Sequence, residues 1–355
     1  MEENNTNNIM LQTKGGKLFD SQCVLSVIIP TYNAEAFIKR TLTSILEQKN
    51  CIFKIILIDD CSTDNTVVCI QEAFNQAIMQ GIILIKTLSH NSGPSIARQE
   101  GIKAVTTPYF TFVDADDYYL SDMALAQMTH ILTQESPDLL MFKYATLHGH
   151  LKLKKNYNFP IGLSSVKAAM TAKINRPHPI WHYIGNKCYK TSIVQKHKIT
   201  FNPNVRSAED VYFNDDYLMN IHSVYFLNQY LYLYDCSNAT SLTRSQTCMT
   251  EQTYKDYISQ WNRETERYEK LLNCIKQMDC YNECIKDLRQ YLCVFIYKVF
   301  QQVKEKKYAN DLHKVLESYH DYNDIIKEYP HIKRKYMLAN FSSRIRKTVK
   351  QYIKF

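Results

Sequence analysis

Residues 24–60, VLSVIIPTYNAEAFIKRTLTSILEQKNCIFKIILIDD, decide the fold class of this chain. An apolar run at 24–29 is followed by a polar loop, and apolar residues then recur at helical spacing over 37–46. A second apolar run at 53–58 ends at the acid pair 59–60. Short apolar runs bounded by turn residues are typical of buried parallel strands, so this order predicts strand, helix and strand.

The alternation of strands and helices continues to residue 113. Ser62-Thr63-Asp64 offers N-cap candidates for a second helix, and Ser92-Gly93-Pro94 opens a third, with proline suited to a first-turn position. Further strands are predicted at 82–85 and 109–113. Repeated βαβ units predict an α/β fold with a mostly parallel sheet flanked by helices.

The pattern changes in the second half of the chain. A strand over 139–144, a basic loop over 151–156 and a helix over 165–174 indicate a mixed region that closes the ligand crevice. Beyond about residue 245 the periodicity is almost wholly helical. We therefore predict a helical C-terminal region that begins near that residue.

Composition indicates a globular protein. Of the 355 residues, 45% are hydrophobic and 22% are charged, which is unlike a disordered chain. Residues 1–22 lack a basic start followed by an apolar run, so we expect a disordered extension rather than a signal peptide.

No apolar run approaches the roughly 18 residues of a membrane span. The 11 cysteines lack paired C-x-x-C spacing, which favours a reducing cytoplasm over a zinc site or a disulfide framework.

The net charge of +8 lies in the tail of residues 331–355. The tail has eight Lys or Arg and no acid, and the rest of the chain has 35 basic and 35 acidic residues. Apolar residues recur every three to four positions, which predicts a basic amphipathic helix that binds an anionic membrane surface. The alternative is a terminal helix that packs on the domain. Because the body is neutral, we expect no nucleic-acid partner.

Acidic residues are the strongest functional signal before any family is considered. Carboxylates at the carboxyl ends of parallel strands converge on one crevice, where a divalent cation relieves their repulsion. Oxygen ligands favour Mg²⁺ or Mn²⁺, which typically carry substrate phosphates. The alternative for such acids is a solvated turn or a helix N-terminus. The three clusters are Asp59-Asp60, Asp114-Ala115-Asp116-Asp117 and Glu209-Asp210.

Five motifs, in this order along the chain, resemble the signature of family 2 glycosyltransferases with the GT-A fold. They are VLSVIIPTYNAE (24–35), IDDCSTDNT (58–66), NSGPSIARQEG (91–101), DADD (114–117) and AEDVYF (208–213). The resemblance implies a catalytic domain at 23–245, with a nucleotide-binding half at about 23–117 and an acceptor half at about 118–245. The helical region, 246–355, follows it.

The resemblance also implies which residues bind the nucleotide. Pro30, Tyr32 and Asn33 form the first loop, where Tyr32 would stack on uracil. Asp60 would accept the ring N–H, a contact that favours uracil over cytosine. Arg98 could reach the nucleotide or the diphosphate. The alternatives are an ordinary loop aromatic for Tyr32 and an exposed helix arginine for Arg98.

In the family's D-x-D element, which Asp114, Ala115 and Asp116 match, a metal bridges the aspartates and the donor diphosphate. The implied metal ligands here are Asp116 and Asp114, holding Mn²⁺ or Mg²⁺, with a UDP-sugar as donor. Asp117 is assigned no more than a supporting role.

The acceptor side carries the expected base. The resemblance assigns Asp210 as the catalytic base of an inverting displacement, with Glu209 as its rival. Acids here also suit a helix N-terminus, because they interact favourably with the helix dipole. Trp181 is a candidate acceptor contact, or else a core residue. Arg244 is a candidate lid cation, or else a surface residue.

Three positions depart from the common family pattern. Cys61 stands where many members have glycine, Gly185 stands where they have tryptophan, and Gln99 stands where many have asparagine. None of these changes removes a carboxylate, so they affect the expected donor and acceptor detail rather than the expected class.

The expected function is an inverting, metal-dependent glycosyltransferase that moves a sugar from a UDP-sugar to a glycan acceptor. The expected setting is bacterial lipopolysaccharide, capsule or other surface polysaccharide synthesis, in the cytoplasm or on the inner face of its membrane. Oligomer contacts could lie in the helical region. One alternative is a non-catalytic glycan- or membrane-binding protein on this fold. The other is a sugar nucleotidyltransferase, which should have a Gly-rich basic loop in place of PTYNAE.

Overall fold

The computed structural model describes residues 23–148, 150–153, 160–175, 181–203, 209–237, 266, 269–277 and 285. The chain divides into two compact units. The first comprises Met1–Ser164 and His182–Asn238, and the second comprises Ser165–Trp181 and Ala239–Phe355. Every carboxylate of the predicted site belongs to the first unit.

One sheet organises the first unit. Ten strands in the described residues join it, in the order β3-β2-β1-β4-β9-β6-β10-β5, with β7 paired to β6 and β8 to β10. The strands are β1 (Leu25–Thr31), β2 (Phe53–Asp59), β3 (Ile83–Thr87), β4 (Tyr109–Phe112), β5 (Tyr118–Tyr119), β6 (Leu139–His148), β7 (His150–Leu153), β8 (Gly162–Ser165), β9 (Lys187–Lys190) and β10 (Ser223–Asp235).

Helices connect and flank these strands. Within the first unit, α3 packs against β1 and β2, and α1 packs against α2 and β5. The helices are α1 (Ile38–Leu46), α2 (Thr66–Met79), α3 (Pro94–Lys103), α4 (Ala124–Gln134), α5 (Val166–Asn175), α6 (Thr191–His197) and α7 (Glu209–Leu218).

The four strands β1 to β4 form the parallel half of the sheet, and β1 pairs in parallel with both β2 and β4. The strands β1, β2 and β4 are almost wholly buried, and Val27, Ile28 and Ile29 have no exposed surface, which fits their nearly continuous apolar sequences. The predicted βαβ alternation is confirmed here, with boundaries shifted by one or two residues.

Helix starts in this half follow the sequence signals with one correction. Gly93 is the N-cap of α3 with φ 88°, a left-handed conformation that favours glycine, and Pro94 occupies the first turn as predicted. The prediction of an N-cap within 62–64 was wrong. The helix α2 starts one residue later, after Asn65, and the Asp64 carboxylate instead accepts the Thr66 N–H at 3.0 Å.

The other half of the sheet is mixed. The strand β9 runs antiparallel to both β4 and β6, and β5 runs antiparallel to β10. The sequence did not predict β5 or β9, because each joins the sheet by pairing with strands that are distant in the sequence. Part of the predicted basic loop, Leu151–Leu153, is instead strand, because it pairs with β6.

Fewer residues are described in the second unit. The helix α5 matches the predicted helix over 165–174, and residues 269–277 are helical with Leu271 and Ile275 buried. The extension 1–22, the boundary near 245 and the tail 331–355 lie outside the described residues. The predicted division of the chain therefore stays a prediction. No helix in the described residues is long and apolar enough to cross a membrane.

Candidate active site

Asp60 ends the extended segment of β2 and connects it to the start of α3. Its carboxylate is buried and accepts the backbone N–H groups of Ser92 and Gly93, both at 2.7 Å. Its own N–H donates to the Thr31 carbonyl at 2.8 Å. A carboxylate has about four lone-pair sites, so Asp60 keeps capacity for a ligand donor.

Hydrogen bonds join the loop after β1 to the loop after β2. The Asn33 Oδ1 atom accepts the Thr63 N–H at 2.8 Å, and the Ser62 hydroxyl accepts the Asn33 N–H at 3.0 Å. Cys61 adopts φ 61°, which explains why glycine would suit its position. Tyr32, next to Asn33 in the first loop, is 46% exposed.

Residues 114–117, here named the acidic turn, follow β4. The Asp117 N–H donates to the Asp114 carbonyl at 3.0 Å and closes the turn. Asp114 and Asp116 are partly exposed, whereas Asp117 is buried. Burial, followed by the charges of Asp114 and Asp116, raises the pKa of Asp117 well above its ordinary value. Asp117 therefore faces the protein interior, whereas Asp114 and Asp116 keep some exposure to solvent.

The acidic turn fits a divalent cation that arrives with its substrate. In the described part of the chain, no group of three or more His, Cys, Asp or Glu side chains could hold a metal ion. The two partly exposed carboxylates are oxygen donors, which Mg²⁺ and Mn²⁺ prefer, and Mg²⁺ commonly completes its shell with phosphate and water. The Asp114 Oδ1 atom accepts a hydrogen bond from Arg98 Nη2. Asp114 Oδ2 is therefore the oxygen that would bind the cation.

Arg98 connects the acidic turn to the helix α7. Its Nη2 atom lies 2.9 Å from Asp114 Oδ1, and its Nη1 atom lies 2.6 Å from Glu209 Oε1. Only 7% of Arg98 is exposed. The exposed-arginine alternative was therefore wrong, and the ion pairs bring α7 next to the acidic turn.

The helix α7 begins with Glu209 and Asp210, as the helix-dipole argument predicted. Burial, then the neighbouring charge of Glu209, raises the pKa of Asp210 to about 7. The ion pair with Arg98 occupies Glu209, whereas Asp210 Oδ1 accepts only its neighbour's backbone N–H, from Val211 at 2.8 Å, among the bonds described. A carboxyl group that titrates near neutrality suits general base catalysis.

Two residues farther along α7, Phe213 and Asn214, hold this helix in place. The Asn214 side chain accepts the Tyr189 hydroxyl at 2.6 Å and donates to the His182 carbonyl at 2.8 Å. The Phe213 ring stacks on Phe201 with ring centroids 4.4 Å apart. These contacts use neighbouring elements of the same unit, so α7 has a defined position on the sheet.

Sequence reasoning missed Lys187 and Tyr232. Lys187 is fully buried in the Asn-Lys-Cys-Tyr segment, and its charge contributes to lowering the pKa of Asp210. Its ammonium donates to Asn186 Oδ1 at 2.9 Å. The Tyr232 hydroxyl donates to the Asp117 carboxylate at 2.5 Å. Nothing in the sequence singles out one tyrosine of 26.

Trp181, Arg244 and Pro30 are the remaining predicted residues. Trp181 is fully buried and belongs to the second unit, so it is a packed core residue that presents no face to an acceptor. The alternative of core packing describes it better. Arg244 lies outside the described residues. Pro30 is half-buried in β1, where it pairs with Ile58 of β2.

Comparison with known proteins adds sequence relatives. The profile of the family described as Glycosyl transferase family 2 matches residues 26–186. The chain is similar to poly(ribitol-phosphate) beta-N-acetylglucosaminyltransferase TarS of Staphylococcus aureus, with 27% identity over 212 residues, which is 59% of this chain and 35% of TarS. The chain thus spans about a third of that relative. It is 29% identical to S. aureus TarP, which carries the same enzyme description, over 62% of this chain and 67% of TarP.

A solved structure is similar as well. S. aureus TarS residues 1–349 in complex with UDP-GlcNAc aligns with a TM-score of 0.58 and 20% identity, covering 87% of this chain and 92% of that structure. At that identity the likeness shows the fold alone, and the predicted GT-A-type fold is confirmed.

Proposed function

We propose that the chain is an inverting glycosyltransferase that uses a UDP-sugar, and the match of residues 26–186 to the Glycosyl transferase family 2 profile supports this class. The acceptor is a glycopolymer of the bacterial surface, of the polyol-phosphate class. TarS and TarP are named for N-acetylglucosaminyl transfer to poly(ribitol phosphate), which supports this acceptor class and makes UDP-GlcNAc the first donor to test.

One observation carries the proposal. Arg98 pairs with Asp114 of the acidic turn and with Glu209 beside Asp210. A single buried guanidinium therefore keeps the expected diphosphate side and the expected base side of the reaction next to each other. Displacement at a sugar carbon needs a leaving group and a base on opposite sides of one small volume.

Donor recognition is assigned to the loops after β1 and β2, which are joined by hydrogen bonds. The exposed Tyr32 ring would stack on uracil, and Asp60 would accept the uracil N–H. The Asp60 carboxylate is oriented by the two N–H groups that begin α3, at 2.7 Å each. Those bonds hold the Asp60 carboxylate next to the start of α3, the helix that carries Arg98.

A Mg²⁺ or Mn²⁺ ion held by Asp114 and Asp116 would stabilise negative charge on the departing diphosphate. Asp210 removes the proton from the acceptor hydroxyl as that oxygen forms a bond to the sugar C1 atom. The C1–O bond to the diphosphate breaks, and UDP departs with the electron pair. Because attack and departure are on opposite faces, the anomeric configuration inverts.

The location of the chain on the inner face of the cytoplasmic membrane is part of the proposal. The supporting observation is the tail of residues 331–355, which carries the whole net positive charge. Flotation with anionic liposomes, comparing the full chain with a chain ending at Tyr329, measures this contribution. Equal flotation of the two chains would contradict it.

The central experiment measures release of UDP from UDP-GlcNAc, UDP-glucose and UDP-galactose. Each donor is tested with and without Mn²⁺, and with and without poly(ribitol phosphate). We expect Mn²⁺-dependent turnover of one donor that the acceptor increases, and a product whose anomeric configuration, read by NMR, is opposite to that of the donor.

Three results would separate the parts of the proposal. Retained configuration would contradict the direct displacement, and full activity in chelator would contradict the metal. If no donor is turned over and calorimetry shows no UDP binding with Mn²⁺, the chain is not a UDP-dependent enzyme, and the non-catalytic alternative replaces this function.

A further inference from the structure

Gly185 lies where a side chain has no room. A Cβ atom at this position would lie 2.6 Å from both the Cζ and the hydroxyl oxygen of Tyr232. Gly185 is not among the described glycines with positive φ, so the requirement is spatial rather than conformational. The tryptophan expected here from the sequence resemblance would occupy the volume that Tyr232 fills.

Tyr232 lies beneath the acidic turn. Its ring is buried and packs edge-on against Tyr119, with centroids 6.1 Å apart. Its hydroxyl donates to Asp117 Oδ2 at 2.5 Å and accepts the Asp114 N–H at 3.3 Å. One hydroxyl thus contacts both ends of the turn, and Asp114 is an expected metal ligand.

The strand β10 and the helix α1 complete this support. The Asp235 N–H donates to Asp117 Oδ1 at 2.8 Å, and the Asp235 carboxylate lies 2.8 Å from Arg40 Nη2. The same Arg40 nitrogen donates to the Asp116 carbonyl at 2.6 Å. Thr41 adds a bond from its hydroxyl to the Ala115 carbonyl at 2.8 Å. Side chains and backbone groups of two elements, β10 and α1, therefore hold the turn.

We propose that Tyr232, admitted by Gly185, is a positioning residue that fixes the acidic turn for the metal and the donor diphosphate. This inference rests on the proposed function. A site with only two protein carboxylates depends on their placement, and partners outside the ligand shell typically change metal affinity or activity about 10- to 100-fold. Tyr232 acts through Asp114 and Asp117 and does not touch the substrate.

Tyr232→Phe tests the proposal, because it removes the hydroxyl and keeps the ring. The matched control is Tyr109→Phe, a buried tyrosine at the start of β4 whose hydroxyl donates to the Pro137 carbonyl at 3.0 Å. Calorimetry measures UDP affinity across Mn²⁺ concentrations, and kcat is measured across the same series.

For Tyr232→Phe we expect the half-saturating Mn²⁺ concentration to rise about 10- to 100-fold, with UDP affinity in chelator unchanged and kcat recovered at saturating Mn²⁺. The Tyr109→Phe control should keep the wild-type Mn²⁺ response. A Tyr232→Phe response equal to that of the control would overturn the proposal. An equal loss of UDP affinity with and without metal would also overturn it, because that is the behaviour of a merely structural residue.

Gly185→Ala is the second variant, for the case in which Tyr232→Phe does not fold. It keeps every polar group but displaces the tyrosine ring, and we expect the same shift in Mn²⁺ response. An unchanged response in Gly185→Ala overturns the positioning role alone. If wild-type chain shows no Mn²⁺-dependent UDP binding, the metal part of the proposed function fails together with this inference, so the two failures are distinguishable.

Discussion

The parallel half of the sheet, β1 to β4, and the mixed half, β5 to β10, arrange their functional carboxylates in different ways. In the parallel half, Asp60 and the acidic turn follow the ends of strands, and backbone N–H groups hold the Asp60 carboxylate. In the mixed half, Asp210 opens a helix that is held by side chains from β9 and its neighbours. The comparison teaches that strand ends place the donor-side carboxylates in the sheet, whereas the packing of a helix places the base.

The difference predicts that variants of the two halves change different kinetic constants. Donor-side variants should change UDP affinity, and base-side variants should change turnover. Variants that lower UDP affinity and turnover equally would show that the two halves of the sheet do not act separately.

The largest effect is expected for Asp210→Asn. Loss of the base should lower kcat by about 10²- to 10⁴-fold, while UDP affinity measured by calorimetry stays near the wild-type value. The control is Asp122→Asn, an exposed carboxylate that pairs with Lys49 at 2.6 Å, and its activity should be unchanged. Wild-type turnover in Asp210→Asn would refute the base assignment.

A smaller effect is expected for Asp60→Asn. The amide cannot accept both N–H groups that the carboxylate holds at 2.7 Å, and hydrogen bonds to a charged group contribute about 1.5–3 kcal/mol. UDP affinity should fall about 10- to 100-fold. An asparagine amide can also donate to cytosine, so the preference for UDP over CDP should narrow. A fall in kcat with unchanged affinities for UDP and CDP would contradict the assignment of Asp60 to the donor side.

Gly101→Ala tests the packing of the parallel half. A Cβ atom on Gly101 of α3 would overlap the Cγ2 atom of Ile28 in β1. Overpacking of this kind typically costs about 1–3 kcal/mol, so thermal unfolding should occur at a lower temperature. Lys103→Ala is the control in the same helix, because its side chain is 62% exposed. Equal melting temperatures for Gly101→Ala and wild type would contradict the close approach of α3 to β1.

The smallest effect concerns pH and should appear only on the base side. Because Asp210 has a pKa of about 7 and must be deprotonated to act, kcat should rise with pH through 7 and then level off. At pH 6 the rate should be about a tenth of the plateau. The residual activity of Asp210→Asn should lack this step. A wild-type profile that is flat between pH 5 and 8 would contradict the role.

The same raised pKa has a consequence for stability. A carboxyl group whose pKa is higher in the folded chain binds its proton more tightly there than in the unfolded chain. Its contribution to stability is therefore complete below the ordinary carboxyl pKa and is lost as pH rises towards about 7. Unfolding of Asp210→Asn should lack that part of the pH dependence.

The site was only partly predictable from sequence. The positions of Asp60, Asp114 and Asp116 followed from apolar runs that end in acids, and the start of α7 followed from two acids at its first turn. The partners of Arg98 did not follow, because its ion pair with Glu209 joins residues 111 positions apart. Local periodicity contains no information about such a contact.

The sequence by itself determined the βαβ alternation from β1 to β4, the loop-to-helix turn at Gly93, and the acids at the strand ends. Those features depend on hydrophobic spacing and turn chemistry within a few residues. Only the tertiary structure decided the antiparallel insertion of β9, the burial of Trp181 and the hydroxyl of Tyr232 against Asp117. The last contact spans 115 positions. The physical reason is that strand pairing and buried hydrogen bonds are selected by packing of the whole unit, which no local segment specifies.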